Sequence, residues 1–336
     1  MRKALAEEYS RAAALLASPG LAPLTPETAD QLQALLQPHA VPALAAAPRP
    51  AGEGPNLFFR KDSKQTLRAT PKGSGAALGG GRWEHWRVVL ASPSSALTAF
   101  HEVLLKVASG QVPEIIAAAL SLSKLTPLRK AGSGVRPIAA PNLLRRVAGR
   151  LLVRGGKKEL VKALGRRQFA IGTAAGTELL AHTVRALTED DPQLVVTALD
   201  VRNAYCTASR AACLGALAES APELLPCAEL FCRRESQHLF WDGSGRCHTL
   251  RSTNGVDQGD PLAPLLFACG LAPRRQELEE ALQEWARELR LYFRRVGVLA
   301  FLDDVAVTAP AGACRGSAAY RPAGEETRFV RDTVRP

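Results

Sequence analysis

Val296 to Ala300 and Val305 to Thr308 are short apolar runs, and between them stands Phe301-Leu302-Asp303-Asp304. Runs of this length, rich in Val and Leu and bounded by Gly and Pro, read as β-strands, so the segment is expected to fold as a hairpin with both carboxylates at its tip. Two adjacent like charges repel, and Asp is depleted in strands. Such a tip is a poor choice for stability alone, and a divalent cation is the obvious counter-charge. Taken by itself an Asp-Asp hairpin is more often a solvated turn.

A second carboxylate narrows the choice. Gln193 to Val201 reads as a buried strand ending on Asp200. An Asp at a strand end is usually a turn or cap residue. Here Asn203 supplies the turn and Ser209 the cap of the helix predicted over Arg210 to Glu219, which leaves Asp200 spare. Asp200, Asp303 and Asp304 at the ends of neighbouring strands would form a cluster suited to two Mg²⁺ ions, with Mn²⁺ as a substitute, for in-line phosphoryl transfer. All-oxygen ligands favour hard cations over zinc. Between these strands lies Asn254-Gly255-Val256-Asp257-Gln258-Gly259-Asp260-Pro261-Leu262, followed by the apolar run Leu265 to Leu271. Gly255 and Gly259 permit positive φ or close backbone approach, and Pro261 fits the first turn of a helix.

In this order the three elements resemble the motifs of reverse transcriptases, most closely those of non-LTR retrotransposons and group II introns. Leu199-Asp200-Val201-Arg202-Asn203-Ala204-Tyr205 is similar to motif A, Gly255 to Leu262 to motif B, and Phe301-Leu302-Asp303-Asp304 to motif C. Upstream, Leu125 to Lys130 and Gly134 to Ile138 resemble the fingers motifs, and Gln168-Phe169-Ala170-Ile171-Gly172 resembles the segment preceding motif A. The resemblance spans about residues 83 to 309.

What the resemblance implies is an α+β, right-hand polymerase fold, with fingers and an antiparallel palm sheet packed on helices. The activity implied is RNA-directed DNA polymerase, a nucleotidyltransferase extending a DNA or RNA primer on an RNA template with dNTPs. Asp200 and Asp303 would ligate the metals, with Asp304 as a supporting ligand and the Val201 carbonyl as a further one. Tyr205 occupies the place where an aromatic lies under the sugar and clashes with a 2′-hydroxyl, which disfavours an RNA-templated RNA polymerase; a packing tyrosine is the alternative. Gln258 and Gly259 would line the other side of the nucleotide pocket. Arg136 would contact the triphosphate, a task suited to a bidentate guanidinium. Lys124 and Lys130 are both candidates for its companion.

The charge distribution supports a polyanionic partner. The chain carries a net charge of +11, and from Lys124 to Arg167 thirteen Lys or Arg stand against one acid, Glu159. A basic run is usually a solvated face, and a basic helix can also bind acidic lipid. Beside a carboxylate cluster, nucleic-acid phosphate is the better match. Arg145, Arg146 and Arg150 recur at helical spacing on Asn142 to Val153, one face of which is expected to track the template. Trp83 and Trp86 could stack bases, although core packing is the more common role of such residues.

The 336 residues suffice for a sizeable core in two lobes. No apolar run reaches a membrane span, and Glu7 and Glu8 within an amphipathic start argue against a signal peptide. The expectation is an intracellular protein without membrane contact, nuclear if it derives from a mobile non-LTR element. The seven cysteines are scattered. Cys227, Cys232, Cys247 and His248 are poorly spaced for zinc and read as reduced thiols and an ordinary histidine. By composition the chain divides into an N-terminal extension and basic arm (1–82), a fingers region (83–191), a palm (192–310) and an irregular tail (311–336). Pro38 to Pro55 reads as an Ala/Pro-rich linker. Gln237 to Trp241 and Cys247 to Arg251 read as a palm hairpin about Asp242-Gly243-Ser244-Gly245, and the acidic helix Gln276 to Arg290 as the outer palm face. No segment after Pro310 resembles the family's thumb, so the expected fold lacks one and the chain reads as truncated after motif C. The alternative function is a catalytically silent nucleic-acid-binding remnant.

Overall fold

The computed structural model describes residues 18, 20–36, 58–69, 75–130, 134–165, 167–288 and 296–310. The Ala/Pro-rich linker and the C-terminal tail lie outside the described residues. The described fold is α+β, with two sheets joined by a helical core.

The first sheet is built from β1 (Ser123–Arg129), β2 (Val135–Pro141), β4 (Ser236–Trp241) and β5 (Cys247–Ser252), in the order β2-β1-β4-β5. β1 and β2 form an antiparallel hairpin, as do β4 and β5. The two hairpins meet through a short parallel contact, Ser123 opposite His238 and Lys124 opposite Leu239. The sequence predicts the β4–β5 hairpin correctly but groups it with the carboxylate strands. Its pairing with β1 instead is a non-local choice that no local pattern encodes. One face of this sheet carries Leu125, Val135, Ala139, Phe240 and Leu250, and helix α1 (Pro26–Leu36) covers it with Ala29, Leu32 and Leu36.

The second sheet is antiparallel, with order β3-β7-β6: β3 (Leu194–Asp200), β6 (Gly297–Phe301) and β7 (Asp304–Pro310). Its period-2 alternation sends Val305 and Val307 toward a long helix, Ala263–Glu288, whose Leu282 and Ala286 close that core. The acidic segment predicted from Gln276 is the second half of this one helix, which also contains Pro273.

The longer of the remaining described helices are α2 (Arg60–Arg68), α3 (Ser94–Ala108), α4 (Glu114–Ser121), α5 (Leu143–Gly155), α6 (Lys157–Leu164), α7 (Gly176–Asp190), α8 (Arg210–Ser220) and α9 (Leu225–Cys232), with the long helix as α10. All but α1 and α7 contribute to the central core, and α7 lies against β3 and β6. Trp83, Leu104, Leu151, Leu152, Leu160, Leu217, Leu224 and Leu265 are fully buried there. Trp83 is therefore a core residue and unable to stack a base. Cys227 and Cys232 are buried free thiols and Cys247 is exposed. No described helix is long and apolar enough to cross a membrane.

Candidate active site

The hairpin predicted from the sequence forms, with Phe301 paired to Asp304 and a two-residue loop, Leu302-Asp303. Leu302 has φ = 57°, while Asp303 is not among the positive-φ residues. Positive φ at the first loop residue alone is the signature of a type II′ turn, where glycine is the usual occupant. A leucine there costs roughly 1–2 kcal/mol. The strain sits beside the two carboxylates, which is where functional turns store it.

Register brings the third carboxylate to the pair. Asp200, the last residue of β3, stands directly opposite Asp304 on β7. Opposed residues share a face, and period-2 alternation places Asp200 and Asp304 with Ala198 and Ala306, on the side turned away from α10. Ala198, Asp200 and Asp304 are exposed at that end of the face, whereas Leu299 and Thr308 further along it are buried. Burial and the charges of Asp303 and Asp200 push the Asp304 carboxyl above its ordinary range. No Lys or Arg among the described residues forms an ion pair with any of the three. Among the described residues, no group of three or more His, Cys, Asp or Glu converges as a ready metal shell. The donor set is nonetheless all oxygen, and its mutual repulsion is what a hard divalent cation would relieve. The Val201 carbonyl accepts a 3.3 Å bond from Ala204 N.

The turn after β3 follows the sequence reading. Asn203 takes a left-handed φ of 55°, and Ser209 caps α8 by accepting from Ala212 N. Tyr205 lies in the single helical turn between them. Its ring is buried and stacked on Phe267 at 5.1 Å, and burial with the charge of Asp303 pushes its hydroxyl up to about 12. The packing role is therefore real, and the hydroxyl still lies within the field of Asp303.

The loop 254–260 is fastened on both sides. Val256 N donates to Tyr205 O at 2.7 Å and Gly255 N to Ala208 O at 2.8 Å. Gly255 has φ = 75°, and a Cβ there would sit 2.3 Å from Cys206 O. On the other side Ala139 N donates to Gln258 O at 2.8 Å, and a Cβ on Gly259 would meet Ala139 O at 2.1 Å. The glycines predicted to allow close approach do so toward the protein's own backbone. They tie β2 to the turn below Asp200. Gln258 is half-buried and Gly259 exposed.

Lys124, Lys130 and Arg136 fall on one face of the β1–β2 hairpin. Lys124 pairs with Ala140 and Leu128 with Arg136, and Lys130 N closes the ladder on Gly134 O. Equal parity puts all three on the side opposite α1. Lys124 and Arg136 are exposed, and Lys130 lies near enough to Cys206 to offset part of the burial that pushes its thiol up to about 11.

Arg145 corrects the expectation of a template-tracking face. It is 4% exposed, with Nε donating to Asp260 at 2.6 Å, Nη2 3.3 Å from Asp257, and its guanidinium over the Phe231 ring at 4.5 Å. On α5, Arg146 and Arg150 lie one turn apart on one stripe, whereas Arg145 is rotated about 100° inward from Arg146. Arg146 and Arg150 are half-buried and lie over the Trp83 ring at 5.1 and 4.6 Å. Burial would lower the Arg145 guanidinium, but Asp260 and Asp257 outweigh it and hold it firmly charged. Burial likewise opposes ionisation of Asp257, yet His238, Arg145, Arg210 and the Ser123 hydroxyl leave it below the ordinary carboxylate range. Arg210, unassigned from sequence, is buried and donates to Gly255 O, Arg234 O and Ser236 Oγ, while Asn254 Oδ1 accepts from its backbone N. The only sequence signal for these roles is an arginine on an otherwise apolar helix face beside a loop with two unassigned carboxylates.

No family model matches this chain. Among characterised proteins it is 29% identical over 197 residues to the retrotransposable element SLACS 132 kDa protein of Trypanosoma brucei gambiense, covering 57% of this chain and 15% of that protein. Among solved structures, a telomerase from Candida tropicalis, truncated from its C-terminal domain, superposes with a TM-score of 0.42 at 13% identity, over 60% of this chain and 46% of that one. A Candida albicans telomerase in complex with a fragment of telomeric RNA gives 0.43 at 13%, over 62% and 41%. The match to a retrotransposable element protein points the same way as the motif resemblance, and this chain spans about one seventh of that protein's length.

Proposed function

We propose that this chain carries the RNA-directed DNA polymerase domain of a retroelement, with 83–191 as fingers, 192–310 as palm, 1–82 as an N-terminal extension and 311–336 as a tail. The observation that carries the reading is the register of the second sheet. It sets Asp200 against Asp304, with Asp303 in the adjoining turn, at the exposed end of the sheet face turned away from α10.

Asp200, Asp303 and Asp304, with the Val201 carbonyl, are the groups that would hold two Mg²⁺ ions. Bound there, the ions would lower the pKa of a primer 3′-hydroxyl and neutralise the charge of a nucleoside triphosphate. The chain's own residues do the positioning. Arg136, with Lys124 or Lys130, offers cations to the triphosphate from one face of the β1–β2 hairpin. Tyr205, fixed by Phe267 and by Val256 N, forms a rigid floor below the sugar; Gln258 and Gly259 bound the base from the β2 side. Arg146 and Arg150 take template phosphate, and Arg145 holds the 254–260 loop from inside. Little covalent chemistry falls to the protein, so positioning and charge placement supply the rate. A nuclear location accompanies the retroelement reading.

Substrate choice tests the proposal. On a primed RNA template with Mg²⁺, dNTPs are expected to be added in strong preference to NTPs, and Tyr205→Ala to narrow that preference. Equal use of both nucleotides by the parent chain would exclude a DNA polymerase.

A further inference from the structure

The segment preceding α7 is fastened to the outer edge of β6. Ala300 N donates to Arg167 O and Phe169 N to Ala300 O, both at 2.8 Å, so Gln168 bridges Ala300 in the manner of a short parallel strand. Gln168 is 5% exposed. Its Oε1 accepts from two backbone amides, Ala170 N at 3.1 Å and Leu302 N at 3.1 Å. The first bond fixes the side chain, and the second reaches into the carboxylate turn. The chain then doubles back so tightly that a Cβ on Gly176 would lie 1.9 Å from Phe169 O and 3.4 Å from the Phe301 ring. Residues 167–176 thus grip the hairpin from outside, at the one turn residue whose left-handed φ is unfavourable for its side chain.

We propose that Gln168 is a positioning residue for the carboxylate turn: its Oε1 holds the Leu302 N–H and so keeps Asp303 and Asp304 in the orientation that faces Asp200. The proposal rests on the polymerase reading above. Without an acceptor at this place the Leu302–Asp303 turn relaxes to a more favourable backbone. The two carboxylates then lose their alignment with Asp200, while the sheet, held by its ladder and by α10, persists.

The test compares the parent chain with Gln168→Met, which fills similar space without an acceptor, and with Gln168→Glu, which keeps the oxygen. Three readouts are taken: Mn²⁺ affinity of the nucleotide-free chain by electron paramagnetic resonance, amide exchange at Leu302, and kcat and KM for dNTP addition. Loss of a group that orients metal ligands is expected to weaken Mn²⁺ binding or kcat by about 10–100-fold. The Leu302 amide should lose protection in Gln168→Met, KM for dNTP should stay near the parent value, and Gln168→Glu should recover both metal binding and Leu302 protection. Should Gln168→Met fail to fold, Gln168→Asn withdraws the oxygen by one methylene and takes its place. A Gln168→Met chain with parent-like Mn²⁺ affinity and kcat overturns the assignment while the polymerase reading stands. A parent chain that binds no Mn²⁺ and adds no nucleotide overturns the reading itself, and the role of Gln168 with it.

Discussion

Replacing Arg145 with Gln separates a structural arginine from a template-binding one. The guanidinium is buried between Asp260 and Asp257, with Phe231 against it. Removing it leaves two buried carboxylates with reduced compensation, and breaking a buried ion pair by deleting one partner costs roughly 3–5 kcal/mol. Ser123 Oγ still donates to Asp257, and Leu262 N to Asp260, which keeps the loss within that range. At about 2–4 °C per kcal/mol for a domain of 150–250 residues, melting is expected to fall by roughly 10 °C. Acid sensitivity should change in a defined direction. Asp257 has a folded pKa below its unfolded value, so its contribution to stability is present above about pH 4 and is lost as pH falls through the folded pKa. Without Arg145 that pKa rises, and acid unfolding moves to higher pH. The triple variant Arg145→Met, Asp257→Asn, Asp260→Asn removes all three charges and should regain much of the lost stability. The assay is thermal and acid denaturation followed by circular dichroism, beside RNA binding as a function of salt. Arg146→Gln, by contrast, should leave melting nearly unchanged and reduce the salt slope of RNA binding by about 0.7. An Arg145→Gln chain as stable as the parent, yet weaker for RNA to the degree of Arg146→Gln, would refute the reasoning.

Three further outcomes are expected. Gly259→Ala places a Cβ 2.1 Å from Ala139 O at φ = 121°, so the Ala139–Gln258 bond should break and KM for nucleotide rise; an unchanged KM at parent stability would detach this loop from the nucleotide pocket. Asp303→Asn should raise melting slightly at pH 7 without metal. Burial and, after it, the charges of Asp303 and Asp200 raise the Asp304 carboxyl in the fold, so the share of the cost due to Asp303 is present above that pKa and vanishes as pH falls toward the unfolded value near 4; an advantage that persists at pH 3 would contradict this origin. Leu302→Gly relieves about 1–2 kcal/mol of left-handed strain, partly offset by the chain entropy of glycine, and should leave melting at or above the parent value while lowering kcat. A clear loss of stability there would show that the turn is not strained.

The local devices were legible before the fold. Asn203 at the turn, Ser209 at the cap, the hairpin about Asp242 to Gly245 and the Asp-Asp tip are all set by neighbours a few residues apart. The opposition of Asp200 to Asp304 was also foreseeable, since the ends of two apolar strands carry the only carboxylates those strands have. What local pattern withholds is long-range pairing. β4 joins β1 across more than a hundred residues, which takes the second hairpin away from the carboxylate sheet. Arg145 and Arg146 are adjacent in sequence and alike in chemistry, yet a 100° turn of the helix sends one to the core and leaves the other over Trp83. Gln168 lies in a segment recognisable by resemblance, but its hydrogen bond to Leu302 spans 134 positions and exists only once the sheet has formed.

The most direct measurement is Mg²⁺-dependent extension of a primer on an RNA template by this chain, beside Asp303→Ala and Asp200→Ala, each checked for folding and RNA binding. Deoxynucleotide addition by the parent, and its loss in both variants with RNA binding intact, is the expected result. Addition that survives in a folded Asp303→Ala or Asp200→Ala chain would contradict the carboxylate site on which the account rests.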